Sequence, residues 1–340
     1  MQPRHPTRRY NNLCAQALHI PLKASRLCRC TARFELAAMK NSQNKTLTAD
    51  LGLLYTAAIW GSTFVMVKDS LDFVHPVILI AYRFFLAAFI MGAFLVYRSR
   101  PLFSNFKSGL VLGVLVWLAY AAQTIGLATT SAANSGFITG LFIVFVPLLD
   151  LLFFRRKPGK SQMVSILVAA VGVWFLTGGP SKINRGDMIT FITSVSYAAH
   201  ILYADRLVSQ KMNPHTINFQ QFLVTGVLSL LVGLAWRLPW TVSAPQAVGA
   251  IIFLALFPTI SAFAIMLWAQ QITGPMKVSL FFSLEPVFAA LFAWTVGGET
   301  FIPAQAFGGF LIFAAILLFN LSTSKNGQPA KTRVRSEKVI

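Results

Sequence analysis

Charge and cysteine are what this chain has least of. Only 11% of its 340 residues are charged, against about 25% in an ordinary soluble domain. With 56% hydrophobic residues and a mean hydropathy of +0.64, that shortage excludes a soluble globular protein. The three cysteines, Cys14, Cys28 and Cys30, all precede the first long apolar run, which excludes a secreted disulfide scaffold. The ten acidic residues include no catalytic pair, and there is no His-Glu-x-x-His, cysteine cluster or phosphate-cradling glycine loop. No metal, no cofactor and no catalytic residue is therefore expected, and an enzyme lacks a usable constellation. The 29 basic residues give a net charge of +19. They stand between apolar runs instead of on a polar surface, so nucleic acid is not the partner.

What is present is hydrocarbon-length sequence. A helix crossing the roughly 30 Å bilayer core needs about 20 mostly apolar residues. Ten such stretches are expected: Leu51–Val67, His75–Tyr97, Lys107–Leu127, Ser131–Phe154, Gln162–Gly178, Asp187–Asp205, His215–Trp236, Ala244–Trp268, Pro275–Val296 and Ala304–Leu321. The first and sixth are the weakest, being short and charged at one end. Nothing alternates in the short dyads of an outer-membrane barrel, so an all-α polytopic membrane protein is expected. Basic residues gather in every second connection, among them Arg98, Arg100 and Lys107, then Arg155, Arg156, Lys157 and Lys160, and the tail from Lys325. By the positive-inside rule both termini are cytoplasmic. The lipid bilayer is thus one partner, and a bacterial inner (cell) membrane the expected location.

The sequence falls into four regions. Residues 1–48 form a basic extension without the apolar core of a signal peptide. It reads as disordered or as a start assigned too early, with Met39, followed by Lys40, as an alternative start. Residues 49–179 and 185–322 are two five-span repeats, and 323–340 is a basic cytoplasmic tail. A shift of 138 residues places Pro76 on Pro214, and one of 139 places Pro147 on Pro286 late in the fourth span of each half. Five spans per half is odd, so the second copy is inverted, a recurring plan of secondary transporters.

The stretch "IWGSTFVMVK" (Ile59–Lys68) with Pro76 and Arg83 resembles the opening of an EamA domain of the drug/metabolite transporter superfamily. So do "ATTSAANSGFITGLFIVFVPLL" (Ala128–Leu149) and, in the second copy, "ITGPMKVSLFFSLEPVFAALFAWTVGGE" (Ile272–Glu299). The second copy departs with "SYAAHILYADR" (Ser196–Arg206), and the first with a basic run where members often carry the Gly-Glu seen at Gly298-Glu299. The resemblance implies ten helices and movement of small organic metabolites, often export.

Polar groups inside the hydrocarbon are the candidate site, because lipid tolerates them only where they face a protein interior or a cavity. Glu285 lies near mid-span, directly before Pro286, which leaves the Phe282 carbonyl without its helical partner. An acid there suits a substrate ammonium or an exchangeable proton, the plain alternative being a packing contact. Its counterpart Pro147 follows Val146, so no acid is repeated, and both prolines are expected to break their helices. Arg83 is read equally as a tie within the first half or as a substrate contact. Trp60, Thr63, Gln123 and Asn134 supply neutral polar groups. Tyr197, His200 and Tyr203 recur every third residue on one stripe, where His200 is the group that titrates near neutral pH. Asp150 reads as an inner-edge charge paired with Arg155 or Arg156.

The expected function is secondary active transport of a small-molecule substrate by alternating access, driven by a gradient because no P-loop exists. Export of amino acids or amines leads; multidrug efflux and metabolite uptake are the alternatives, and a channel is the competing class. Proton coupling is an open option, and the oligomeric state is left undetermined between monomer and homodimer.

Overall fold

The computed structural model describes residues 22–130, 132–177, 184–295 and 301–325. The chain divides into two units, Met1–Thr48 and Ala49–Ile340. Helix α1 is assigned over Leu22–Ser70, and its residues from Ala49 onward belong to the second unit. That unit continues with α2 (Pro76–Tyr97), α3 (Phe106–Leu127), α4 (Ala132–Gly140), α5 (Phe142–Phe154) and α6 (Lys160–Thr177). After these come α7 (Arg185–Ser209), α8 (Pro214–Ala235) and α9 (Pro245–Ala255). A π-helical segment (Leu256–Ser261) joins α9 to α10 (Ala262–Gln270), and α11 (Pro275–Phe282), α12 (Glu285–Thr295) and α13 (Pro303–Lys325) are the last described elements. Among the described residues every regular element is helical. Helices satisfy their own backbone polar groups, as hydrocarbon requires.

Among the described residues six stretches are long and apolar enough to cross a membrane: Gln43–Ser70, Pro76–Tyr97, Phe106–Leu127, Pro214–Ala235, Pro245–Gln270 and Pro275–Phe292. Ile138–Phe154, Lys160–Phe175 and Ala306–Phe319 are shorter apolar helices. The expected sixth span falls within α7, which is long but carries Asp187, Asp205 and two arginines. The chain is a multi-pass helical membrane protein.

Local chemistry sets the helix starts. Pro76 and Pro214 open α2 and α8, where a missing N–H is harmless, and His75 and Asn213 cap them through Val77 N and His215 N. Asn184 and Asp187 form a reciprocal capping box on α7 (2.9 and 3.0 Å). The fourth rod breaks at Leu141, between α4 and α5, and Pro147 lies inside α5. Pro147 is therefore not the break itself. The turn forms one and a half turns upstream, after Gly140, through i to i−3 bonds at Leu141 and Val144, where glycine holds a helix poorly. Pro286, by contrast, does sit at its break: Ser283 and Leu284 separate α11 from α12.

Hydrogen bonds sort the connections onto two faces. On face one, Lys68 Nζ donates to Thr130 O (3.2 Å), Thr130 Oγ1 to Asp187, Ser243 N to Phe73 O and Tyr82 Oη to Trp240 O. On face two, Thr216 Oγ1 donates to Pro101 O, and Gln220 Nε2 to Leu102 O and Ser104 O. Arg156 bridges Asp150 (3.8 Å) and Asp205 (3.7 Å) there, as the edge reading of Asp150 expected. Pro76 thus begins its helix at face one and Pro214 at face two.

The rods pack α3 against α7 and α8, α2 against α8, and α6 against α13. Gly126 of α3 and Gly186 of α7 let two backbones touch. A Cβ on Gly126 would lie 2.7 Å from the Gly186 carbonyl oxygen, and one on Gly186 2.6 Å from that of Gly126. Gly126→Val or Gly186→Val is expected to cost about 1–3 kcal/mol by overpacking and to lower the melting temperature of the detergent-purified protein. Gly249→Ala, where a Cβ meets nothing within 4 Å, is the control that keeps or raises it.

Candidate functional site

A narrow cavity, with room for water-sized groups only in this conformation, lies where the middles of the rods meet. Trp60 and Thr63 reach it from α1, Arg83 from α2, and Ala119, Tyr120 and Gln123 from α3. Thr139 of α4, Thr193 and Tyr197 of α7 and Glu285 of α12 complete the lining. Thr63, Arg83, Gln123, Thr139 and Thr193 all sit in the halves of their helices nearer face one, so the cavity belongs to that side.

The floor toward face two is aromatic. Trp60 packs edge-on against Tyr197 (centroids 5.6 Å), Phe263 (5.6 Å) and Phe282 (4.8 Å), and Phe142 against Tyr197 (5.4 Å). Edge-to-face rings at these spacings add attraction beyond burial.

Pro258 explains how two of the lining groups are held. A proline has no N–H to give the carbonyl four residues back, so the Leu254 oxygen takes the Thr259 hydroxyl instead (2.7 Å). The helix widens into its π segment there, as such breaks do near sites. Thr259 Oγ1 in turn accepts from Arg83 Nε (2.7 Å), and Pro258 O from Trp60 Nε1 (2.7 Å). Arg83 is 5% exposed, its guanidinium 4.7 Å from the Tyr120 ring centroid, a cation–π contact. Arg83 thus ties α2 to Tyr120 within the first half, as one reading expected, and to Thr259 in the second. A long side chain on α2 reaches Thr259 because α2 packs on the π segment.

Glu285 is 7% exposed and opens α12. Gly61 makes its position possible: a Cβ there would lie 2.5 Å from the Glu285 carbonyl oxygen, so α1 and α12 touch through backbone. Among the described residues no hydrogen bond or ion pair reaches the Glu285 carboxylate, and no acid pairs with Arg83. A buried carboxyl group and a buried guanidinium thus line the same cavity with no ion pair to either among the described residues. Buried ionisable groups normally pair, and here the guanidinium is held by the Thr259 hydroxyl and the Tyr120 ring instead of by an acid.

Of the residues expected at the site, Glu285, Tyr197, Trp60, Thr63, Gln123 and Arg83 converge on the cavity. Gln123 Nε2 donates to Thr139 Oγ1 (3.2 Å). His200 is wholly buried but lies beyond Tyr197, bonded to Gln221 (2.8 Å). Tyr203 does not reach the cavity. It is half-buried against the core six residues past Tyr197, since a three-residue repeat drifts around the helix. The side chain of Asn134 lies outside the described residues. Tyr120, Thr139 and Thr193 were not expected, and Pro258 in the middle of an apolar span was the signal for the π segment. Among the described residues no cluster of three His, Cys, Asp or Glu could hold a metal.

The apolar helical body with polar side chains at its centre is that of a polytopic membrane protein, and sequence comparison gives the family. The EamA-like transporter family matches residues 47–178 and again 184–321, so the chain belongs to it. An Archaeoglobus fulgidus protein named "Uncharacterized transporter" is 33% identical over 82% of this chain and 87% of its own. The Escherichia coli K12 inner membrane transporter YedA is 27% identical over 76% and 87%. An S-adenosylmethionine/S-adenosylhomocysteine transporter of Chlamydia muridarum is 24% identical over 79% and 90%. A crystal structure with 17% identity superposes at a TM-score of 0.68 over 83% of this chain and 99% of that one, a likeness of fold.

Proposed function

We propose that this protein is a secondary transporter that exports small zwitterionic or amine-bearing metabolites, amino acids foremost, across a bacterial inner membrane by alternating access. Glu285 and Arg83, which line one cavity without an ion pair among the described residues, carry this reading. A carboxylate suits a substrate ammonium, a guanidinium suits a substrate carboxylate, and the aromatic floor suits a short apolar side chain. The named substrate of the Chlamydia relative, S-adenosylmethionine, is itself an amino-acid zwitterion. The reading includes ten spans as two inverted repeats, 49–179 and 185–322, with face two and both termini in the cytoplasm. The basic runs at Arg98–Lys107 and Arg155–Lys160 on face two support that orientation.

Two measurements test it. Purified protein in lipid vesicles loaded with unlabelled amino acid should take up the labelled one by saturable counterflow, across a panel of amino acids and simple amines. Absence of exchange for the whole panel refutes the substrate class, and flux without counterflow indicates a channel. A tag after Ile340 should be reached only from the cytoplasmic side and a label at Asp72 only from outside; the opposite exposure reverses the topology.

A further inference from the structure

A second polar cluster lies behind the aromatic floor, toward face two. His200 stacks on Tyr197 (6.0 Å, interplanar 6°) and meets Phe263 edge-on (5.7 Å). Gln221 uses its amide N–H on Asn218 Oδ1 (2.6 Å), so its oxygen accepts from His200 Nε2–H (2.8 Å). That fixes the imidazole tautomer and leaves Nδ1 a bare acceptor. His200 Nδ1 and Asn218 Nδ2 have no partner among the described residues, and all three side chains are wholly buried. A buried network with a free acceptor at one end and a free donor at the other is costly if nothing ever meets them.

The internal repeat indicates what should meet them. Tyr197 stands 137 residues after Trp60, and their rings touch at 5.6 Å, as equivalent residues do where related helices cross on an axis. By the same offset His200 corresponds to Thr63. By the shift that places Pro76 on Pro214, Gln221 corresponds to Arg83. Thr63 and Arg83 line the cavity on the face-one side; their counterparts are wholly buried on the face-two side. In an inverted-repeat carrier the two halves exchange roles when access alternates.

We infer that His200, Gln221 and Asn218 form a second ligand station, which opens to face two when the cavity closes to face one and takes the head group of a small zwitterion. Glu285 and Arg83 offer an acceptor and a donor as charges; His200 Nδ1 and Asn218 Nδ2 offer the same complement without charge. The inference rests on the transporter reading above. Face two is held shut in this conformation by Lys277 on Asp50 (2.7 Å), α11 to α1, and by Arg156 between α5 and α7.

The test uses the full chain with Cys14, Cys28 and Cys30 changed to serine, and Asn218→Cys as reporter, since a thiol keeps a weak donor there. Vesicles of each orientation are treated with a membrane-impermeant maleimide sulfonate. Asn218→Cys should react from the face-two side only, about fivefold faster or more when Lys277→Gln loosens the closure. A millimolar mixture of the twenty amino acids should slow the reaction at least about twofold. Leu202→Cys, buried in α7 two residues on from His200 and turned to another side of that helix, should stay unreactive and so exclude general unfolding. An unreactive Asn218→Cys in a protein that shows counterflow overturns the station and leaves the transporter reading standing. Reaction that the mixture does not slow also overturns it. Protected labelling without any counterflow keeps the station as a binding site and refutes the amino acids of the mixture as exchanged substrates.

Discussion

Glu285→Gln is expected to lower the flux of amine-bearing substrates by more than about tenfold while leaving the protein folded. Glutamine keeps the size and one acceptor, and removes only the charge and the titratable proton. A hydrogen bond to a charged group contributes about 1.5–3 kcal/mol, and each 1.4 kcal/mol is a factor of about ten. The loss should therefore be large, and it should show in flux before it shows in the melting temperature. No partner inside the described structure depends on that carboxylate, so nothing in the fold is left unpaired by the change. The same assay run against pH separates two roles. If the carboxylate exchanges a proton in each cycle, the pH dependence of the remaining flux flattens; if it only holds the ammonium, the dependence stays. Parental flux with a parental pH profile would remove Glu285 from the mechanism.

The Gln substitution is informative because Arg83 sits in the same cavity. With Glu285 neutral the site keeps a cation and loses its anion, so preference should move from zwitterions toward carboxylates that lack an amine. A general loss of packing would lower both alike. Competition of an amino acid against its deaminated analogue in the counterflow assay reads this difference directly.

The helical body and the cavity's charged residues were legible in the sequence for a simple reason. Hydrocarbon forbids polar groups, so each one inside a span advertises an interior position, and Glu285, Arg83, Trp60 and Gln123 all proved to face the same space. What the sequence could not supply was azimuth and partner. Tyr203 shares a three-residue spacing with Tyr197 and His200, yet a helix turns 3.6 residues at a time, and the stripe leaves the cavity after one turn. Arg83 could not reveal that its partner is Thr259, 176 residues away. That contact exists because Pro258 frees a carbonyl, draws in the Thr259 hydroxyl and widens the helix toward α2. Thr139 and Thr193 carry polarity too weak to stand out within an apolar span. Their roles appear only once Gln123 is seen to bond the one and Ala119 O to accept from the other (3.0 Å).

Lys277 and Asp50 give the second large effect, and it depends on which partner is changed and whether the other is changed with it. Lys277 Nζ lies 2.7 Å from Asp50 Oδ1 and 2.9 Å from Oδ2, with side-chain exposures of 8% and 20%. Lys277→Asp alone sets two anions side by side in a mostly desolvated place, and Asp50→Lys alone sets two cations there. Removing one partner of a fully buried pair costs about 3–5 kcal/mol; the exposed fifth of Asp50 puts the expected loss here nearer the lower end. Each single reversal should therefore lower the melting temperature of the purified protein and reduce its yield in the membrane. The double reversal, Asp50→Lys with Lys277→Asp, restores opposite charges across α1 and α11 and should recover most of the loss. That recovery identifies a direct pair, because two independent defects would add instead. Transport supplies the finer reading. If the pair serves only to hold the fold, the double variant transports as the parent does once its amount in the membrane is matched. If it closes face two during the cycle, the exchanged geometry alters the balance between the two access states, and counterflow changes at equal protein. A double variant no more stable than either single one would show that the two residues do not act through each other.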